Sequence, residues 1–504
     1  MTSAVERFFG ENKAHPGLGR KSIHSGIALV IARSVNILVQ VGSTILLARL
    51  LSAEDYGLVA MVFALVSFAP MLIDLGTTDA FVQKTHVTRV DVSTLFFINV
   101  AIGAGLALLF VGLSPLIAAF YGEPTLVGIA LAASLMFVFT ALSTQHFALL
   151  RRAMDFQRLA LIETASNVIS SIIAIAMAFT GWGYWALVAK PILQSGLAAF
   201  GVWLSCPWLP QRPRMTPAVR EMLRFGLGVT GFTMTDSVAR STDRVALGYF
   251  YGAGSLGYFQ NALLLYENLL SLLTTPLHNV AVSSLSKLKN EVEALKRAWS
   301  AALSSLTFLA CLGFASLAVI GDDFVVLLLG EKWEPAGPLL CIFAIRGIAH
   351  VVERTLGWLH VAAGRSDRWM RWGFFSAVFQ LAALLIGVPF GLIGVATAHA
   401  IATFCLFLPA LVYAGQPFGI GTRDVLRVVG PQMVAALVTA AIGHTAQVML
   451  LADYSHLLRL TISVAICIGV YLSVAVGLFR VTGPIQLGLS VLRDLTRGRS
   501  WARS

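Results

Sequence analysis

Arg33, Asn36, Gln40, Ser43 and Thr44 interrupt an apolar run over roughly residues 25–51. Their spacing puts all of them on one narrow face of a helix. Counted from about residue 22 at ~1.5 Å per residue, Arg33 sits ~16 Å into a hydrocarbon core ~30 Å thick. A charge at that depth costs at least ~2.5–3.5 kcal/mol against lipid, so the stripe must face other helices or water. The pattern returns 200 positions later (33 to 233): Thr233, Asp236, Arg240, Asp243 and Arg244 take the places of the first set, and Gly57 and Gly257 share the register. Two such stripes in equivalent helices imply two halves around a shared cavity.

Other charges fall inside apolar stretches: Lys190, Arg346, Glu163, Glu267 beside Asn268, Glu353 and Arg354. Arg33 and Arg346 have no acidic residue within helical reach, and unpaired cations near a midplane call for an anionic ligand. Asp236 and Asp243, by contrast, lie close enough to Arg240 and Arg244 to neutralise them and pin helices together. Glu163, Glu267, Glu353 and Arg354 are read as structural or coupling residues, and Asp74 and Asp79 as a cap, hinge or gate at one end of the second helix. Guanidinium suits phosphate through its bidentate donor fork. A cavity walled by Arg33, Asn36, Gln40, Lys190, Arg240, Arg244 and Arg346 fits a substrate anionic in one part and rich in hydroxyls in another, such as a lipid-linked diphosphate sugar.

Soluble-enzyme chemistry has no foothold. There is no H-E-x-x-H, P-loop, G-x-S-x-G elbow or paired His/Cys spacing, so neither a catalytic set, a metal nor a cofactor is expected. Two GxGxxG matches, from Gly226 and from Gly252, follow no strand of a βαβ unit and read as helix-crossing glycines. Cys206, Cys311, Cys341, Cys405 and Cys467 stand singly, without a disulfide or zinc pattern. His146, His350 and His399 read as interhelical hydrogen-bonding groups.

Holding these residues requires a membrane-embedded frame. With 57% hydrophobic and 12% charged residues, the chain is an integral membrane protein of the all-α class. Apolar runs predict about fourteen transmembrane helices, the second over 54–83, with Tyr249–Ser255 and Gly321–Glu334 among the outer connections. The net charge of +11 is dispersed in small groups on alternate loops, a topology signal that excludes nucleic acid as partner and places both termini in the cytoplasm. The expected organisation is a cytoplasmic arm (1–23), an N-lobe of helices 1–6 (24–206), a cytoplasmic linker (207–224), a C-lobe of helices 7–12 (225–414), two further helices (415–480) and a basic tail (481–504). A short amphipathic surface helix is expected from Gln486. The glycine turn at 180–188 resembles that at 388–396, which extends the repeat between the lobes, an arrangement transporters use for alternating access.

Ala48-Arg-Leu-Leu-Ser-Ala-Glu-Asp-Tyr-Gly-Leu-Val-Ala, Asp74-Leu-Gly, Phe81-Val-Gln-Lys, Arg151-Arg-Ala-Met-Asp-Phe, Gly181-Trp-Gly-Tyr-Trp-Ala-Leu-Val and Asp243-Arg-Val-Ala-Leu-Gly-Tyr-Phe together resemble the bacterial polysaccharide transporter family, the oligosaccharide flippases of the multidrug/oligosaccharidyl-lipid/polysaccharide superfamily. The resemblance covers about residues 25–360. It implies two six-helix lobes plus two helices, and alternating access that moves an undecaprenyl-diphosphate-linked oligosaccharide across the bacterial inner membrane for capsule, exopolysaccharide or O-antigen assembly. It also implies a diphosphate carried on cationic cavity residues, with Arg33 the first match and Arg240 and Arg244 the next. Membrane lipids and other polysaccharide assembly proteins are the expected partners, and the unit is expected to work as a monomer. Two alternatives remain: an ion-coupled multidrug exporter, which would need acidic cavity residues, and a membrane polymerase or ligase acting on lipid-linked sugars, which would need a large outer loop.

Overall fold

The structure, a computed structural model, describes residues 18–84, 86–288, 291–363 and 365–486. Among them the architecture is wholly helical, with no strand. Helices α1 to α6 run Leu18–Leu50, Ala53–Asp74, Arg89–Tyr121, Leu126–Arg152, Phe156–Phe179 and Trp185–Ser205. The run Pro217–Lys287 is divided into α7 (217–251) and α8 (253–287) by Gly252, whose φ of 75° and ψ of 179° leave the helical region. Then follow α9, Val292–Leu329; α10, Glu331–His360; α11, Ser366–Gly387; α12, Gly391–Gly415; α13, Thr422–Leu450; and α14, His456–Leu478. Among the described residues, ten stretches are long and apolar enough to cross a membrane, one of them covering both α11 and α12; α1, α7 and α8 complete the fourteen. The chain is a multi-pass membrane protein.

Two compact units divide the chain, the first ending at Gly257 and the second starting at Tyr258. In the first, α1 packs along α5, α5 along α6, and α3 along α4. In the second, α9 is central and touches α10, α13 and α14, while α12 packs on α10 and α11. Of the predicted arm and tail, residues 1–17 and 487–504, including the expected surface helix beyond its first residue Gln486, lie outside the described residues.

Helix starts follow local capping rules. Ser52 with Asp55 opens α2, and Thr88 with Asp91 opens α3, each through a reciprocal capping box that satisfies two orphan N–H groups. The expected second helix, 54–83, is in fact two. Leu75 (φ 47°) and Gly76 (φ 63°) adopt left-handed geometry, ending α2 at Asp74 before a short helix, Thr77–Gln83, begins. Two expected outer connections are also largely helical. The 249–255 connection reduces to the single break at Gly252, and α9 continues through most of 321–334 to Leu329. Asp322 and Asp323 read as loop residues, yet Asp323 is only 1% exposed. Its carboxylate accepts from Gln447 Nε2 at 2.6 Å, bonds His456 Nδ1 at 2.7 Å and pairs with Arg459 Nε at 3.3 Å, fastening α13 and α14 to α9.

The segment after α6 is pinned to the start of α3. The Gln211 N–H donates to Ser93 Oγ at 2.9 Å, the Arg214 N–H donates to Thr94 Oγ1 at 2.9 Å, and that hydroxyl donates back to the Arg214 carbonyl at 2.9 Å. Thr216 donates to Asp91. Beneath this segment lies an apolar core of Phe81, Leu95, Phe96, Leu149 and Trp208, with His146 stacked on Trp203 at 4.3 Å as a packing residue.

Candidate functional site

Two polar constellations form, one in each unit. In the first, Asn36 and Ser43 of the α1 stripe meet α5 and α6. Asn167 on α5 donates its amide to the Asn36 side-chain oxygen and accepts from Ser171 at 3.4 Å. Lys190 on α6 donates from Nζ to Ser43 Oγ at 2.7 Å, and Ser43, 2% exposed, donates on to the Gln40 carbonyl at 3.0 Å. Among the described residues no carboxylate pairs with Lys190. A half-buried ammonium is thus held by a neutral hydroxyl, which fixes its position while leaving its charge uncompensated. Gln40 is exposed, with its carbonyl also accepting from Thr44 at 2.8 Å.

In the second unit the half-buried cation is Arg346 on α10. Its Nε donates to Thr403 Oγ1 on α12 at 3.1 Å, and Thr403 donates to the His399 carbonyl at 2.9 Å. Gln380 on α11 reaches the same hydroxyl at 3.5 Å. Arg346 likewise has no carboxylate partner among the described residues. The parallel with Lys190 is close: a cation, a Ser or Thr hydroxyl, then a backbone carbonyl.

The acidic candidates are mostly paired or capping groups. Glu267 meets Arg354 at 3.3 Å, both about two-fifths exposed, an arrangement worth ~0–1 kcal/mol. Tyr266 next to it bonds His350. Asp74 is a cap: its carboxylate accepts from the Thr78 N–H at 3.1 Å and the Thr78 hydroxyl at 2.5 Å. Glu163 is exposed on α5. Asp243 and Arg244 are half-buried on α7, and they and Glu353 are all engaged with other groups. The side chains of Arg33, Asp79, Asp236 and Arg240 lie outside the described residues. No group of His, Cys, Asp and Glu that could hold a metal occurs among the described residues.

Sequence reading missed Asn167, Ser171 and Thr403, the neutral residues that hold the stripe and the cations. Their signal was a polar residue recurring once per turn on an apolar helix, visible at Glu163, Asn167 and Ser171, where only Glu163 carries a charge to single it out.

A family described as polysaccharide biosynthesis protein matches residues 46–338. Teichuronic acid biosynthesis protein TuaB of Bacillus subtilis (strain 168) is 27% identical over 348 residues, 68% of this chain and 71% of that one. Lipopolysaccharide biosynthesis protein WzxC of Escherichia coli (strain K12) is 24% identical over 347 residues, 68% of this chain and 70% of its own. The fold is similar to that of the lipid II flippase MurJ in its inward closed conformation, with a TM-score of 0.70, 18% identity and coverage of 90% of this chain and 99% of that one. It is also similar to an inward-facing multidrug resistance MATE family transporter, with a TM-score of 0.61, 14% identity and coverage of 77% and 98%. With more than half of its length matched, from the end of α1 to the start of α10, the chain belongs to the polysaccharide biosynthesis protein family.

Proposed function

We propose that the chain is a flippase, carrying an undecaprenyl-diphosphate-linked oligosaccharide from the cytoplasmic to the periplasmic leaflet of the bacterial inner membrane by alternating access, in the service of capsule, exopolysaccharide or O-antigen assembly. One observation carries this reading: each unit presents a half-buried cation, Lys190 or Arg346, held by a hydroxyl instead of a carboxylate. Such groups give charge-assisted hydrogen bonds to a diphosphate without first breaking an ion pair. An exporter of cationic drugs needs the opposite sign, and a sugar-transferring enzyme needs a catalytic set that the sequence does not offer. The alternating loop charges favour cytoplasmic termini. The moving bodies are then lobes 24–206 and 225–414 joined by 207–224, with the protein working as a monomer among membrane lipids and other assembly proteins.

Reconstitution of the full chain in vesicles loaded with the host's lipid-linked oligosaccharide tests the reading through leaflet exposure. Faster appearance of the sugar on the opposite leaflet than in empty vesicles is expected. Equal rates with and without the protein overturn it.

A further inference from the structure

Beyond the cations, the first unit contains a cavity of about 600 Å³ bordered by α2, α4, α6 and α7, a size typical of small-ligand sites. Its polar wall comes from Thr140, Ser143 and Thr144 on α4 and Gln194 and Ser195 on α6, with Arg151 at one end. Thr140, Thr144, Phe147 and Arg151 follow one another at three- and four-residue steps, so α4 turns a single face inward. From Arg151 to Thr140 the wall is ~16 Å deep at ~1.5 Å per residue.

The hydrogen bonding of this wall limits what it accepts. Ser143 and Thr144 donate to the Thr140 carbonyl at 3.0 and 2.8 Å, and Ser195 donates to the Pro191 carbonyl at 2.9 Å. With their protons turned back to the helix, these hydroxyls keep lone pairs for a ligand that donates. Gln194 adds a donor pair and an acceptor. The adjacent arginines divide their roles: Arg152 is buried and donates to the Phe81 carbonyl at 2.8 Å and the Lys84 carbonyl at 2.6 Å, whereas Arg151 is exposed and its guanidinium donates to nothing among the described residues. Asp74, also on the wall, has Oδ1 taken up by Thr78. Gln194 lies one turn from Lys190 on the same face of α6.

We propose that this cavity is a sugar-reading subsite of the first unit, which accepts the hydroxyl protons of a saccharide on Ser143, Thr144 and Ser195, exchanges hydrogen bonds with Gln194, and takes an anionic group of the same headgroup on Arg151. The proposal rests on the flippase reading. It places the sugar one turn along α6 from the cation that serves the diphosphate. Selectivity among headgroups is then set here, by neutral hydrogen bonds that a wrong pattern leaves unmade.

Binding to the purified full chain in nanodiscs tests this with three probes: farnesyl diphosphate, farnesyl-diphosphate-linked neutral trisaccharide, and the same trisaccharide with a terminal uronic acid. The wild type is expected to bind the glycosylated probes at least tenfold more tightly than farnesyl diphosphate. The double variant Thr144→Val, Gln194→Leu should lose that preference and keep its affinity for farnesyl diphosphate. Ala198→Trp, which fills the cavity while removing no polar group, should do the same. Arg151→Gln should weaken either the uronate probe alone or all three, according to whether a sugar carboxylate or the diphosphate sits there. A preference surviving both cavity variants, a loss shared equally by farnesyl diphosphate in both, or an Arg151→Gln variant unchanged on every probe overturns the subsite and leaves the flippase reading standing. A wild type that binds none of the probes overturns both.

Discussion

Gly57 and Gly257 stand 200 positions apart (57 to 257), and each packs against the residue four positions before the other, Gly57 on Ala253 and Gly257 on Ala53. A Cβ on Gly57 would meet the Ala253 carbonyl oxygen at 1.7 Å, and a Cβ on Gly257 would meet that of Ala53 at 1.8 Å. Each repeat thus supplies an Ala-x-x-x-Gly segment, at the start of α2 and in the first turn of α8, and the two cross backbone to backbone as small-xxx-small pairs do in membranes.

Gly57→Ala and Gly257→Ala are therefore expected to force these helix starts apart and to cut flipping at least tenfold in the vesicle assay, at near-normal expression. Gly42→Ala, where an added Cβ meets nothing within 4 Å, serves as the control and should transport normally.

Lys190→Met keeps the bulk of the side chain but removes the charge held by Ser43 at 2.7 Å. Transport should fall by a factor of ~10 to 100, about 1.4–2.8 kcal/mol for one lost charge-assisted contact, and Lys190→Arg should recover part of it. Accumulation of lipid-linked repeat units in cells provides the readout, and unchanged levels in the Met variant would remove Lys190 from the site.

At Asp323, replacement by Asn leaves Arg459, whose side chain is a quarter exposed, without its 3.3 Å ionic partner. A destabilisation of ~1–3 kcal/mol is expected, seen as a lower unfolding temperature in detergent and new proteolysis between α13 and α14. Adding Arg459→Leu should restore much of the loss, because the stranded charge is gone.

Thr94→Val removes both hydrogen bonds to the Arg214 backbone. At ~0.5–1.5 kcal/mol each, their loss should free the segment after α6 and speed tryptic cleavage at Arg212 and Arg214 in membrane vesicles. Cleavage at the wild-type rate would mean that Ser93 and Thr216 hold the segment unaided.

Burial pushes the Cys206 thiol up to about 11, from an ordinary value near 9.0. The thiolate is the reactive form. In a variant retaining only Cys206, maleimide labelling at pH 7 should be negligible in the folded protein and should appear on denaturation, when the thiol returns toward its ordinary range; labelling of the folded protein at the denatured rate would contradict the burial.

What the sequence determined by itself was the frame: the fourteen helices, the 200-residue repeat, and the polar stripe on α1 that no lipid-facing helix could carry. Those features are local and periodic, and the bilayer's demand for satisfied backbone makes them legible. Sequence also picked out Lys190 and Arg346, because a charge in an apolar run is conspicuous. Only tertiary structure decided what holds them. Ser43 is one more polar residue of the stripe and Thr403 an unremarkable hydroxyl until a neighbouring helix brings a cation to each, and Asp323 reads as a loop residue until α13 and α14 surround it. The wall of Thr140, Ser143 and Thr144 became a cavity in the same way, once α6 set Gln194 and Ser195 beside it. Side-chain partners far apart in the chain are chosen by packing, and packing leaves no periodic mark in the residues that it joins.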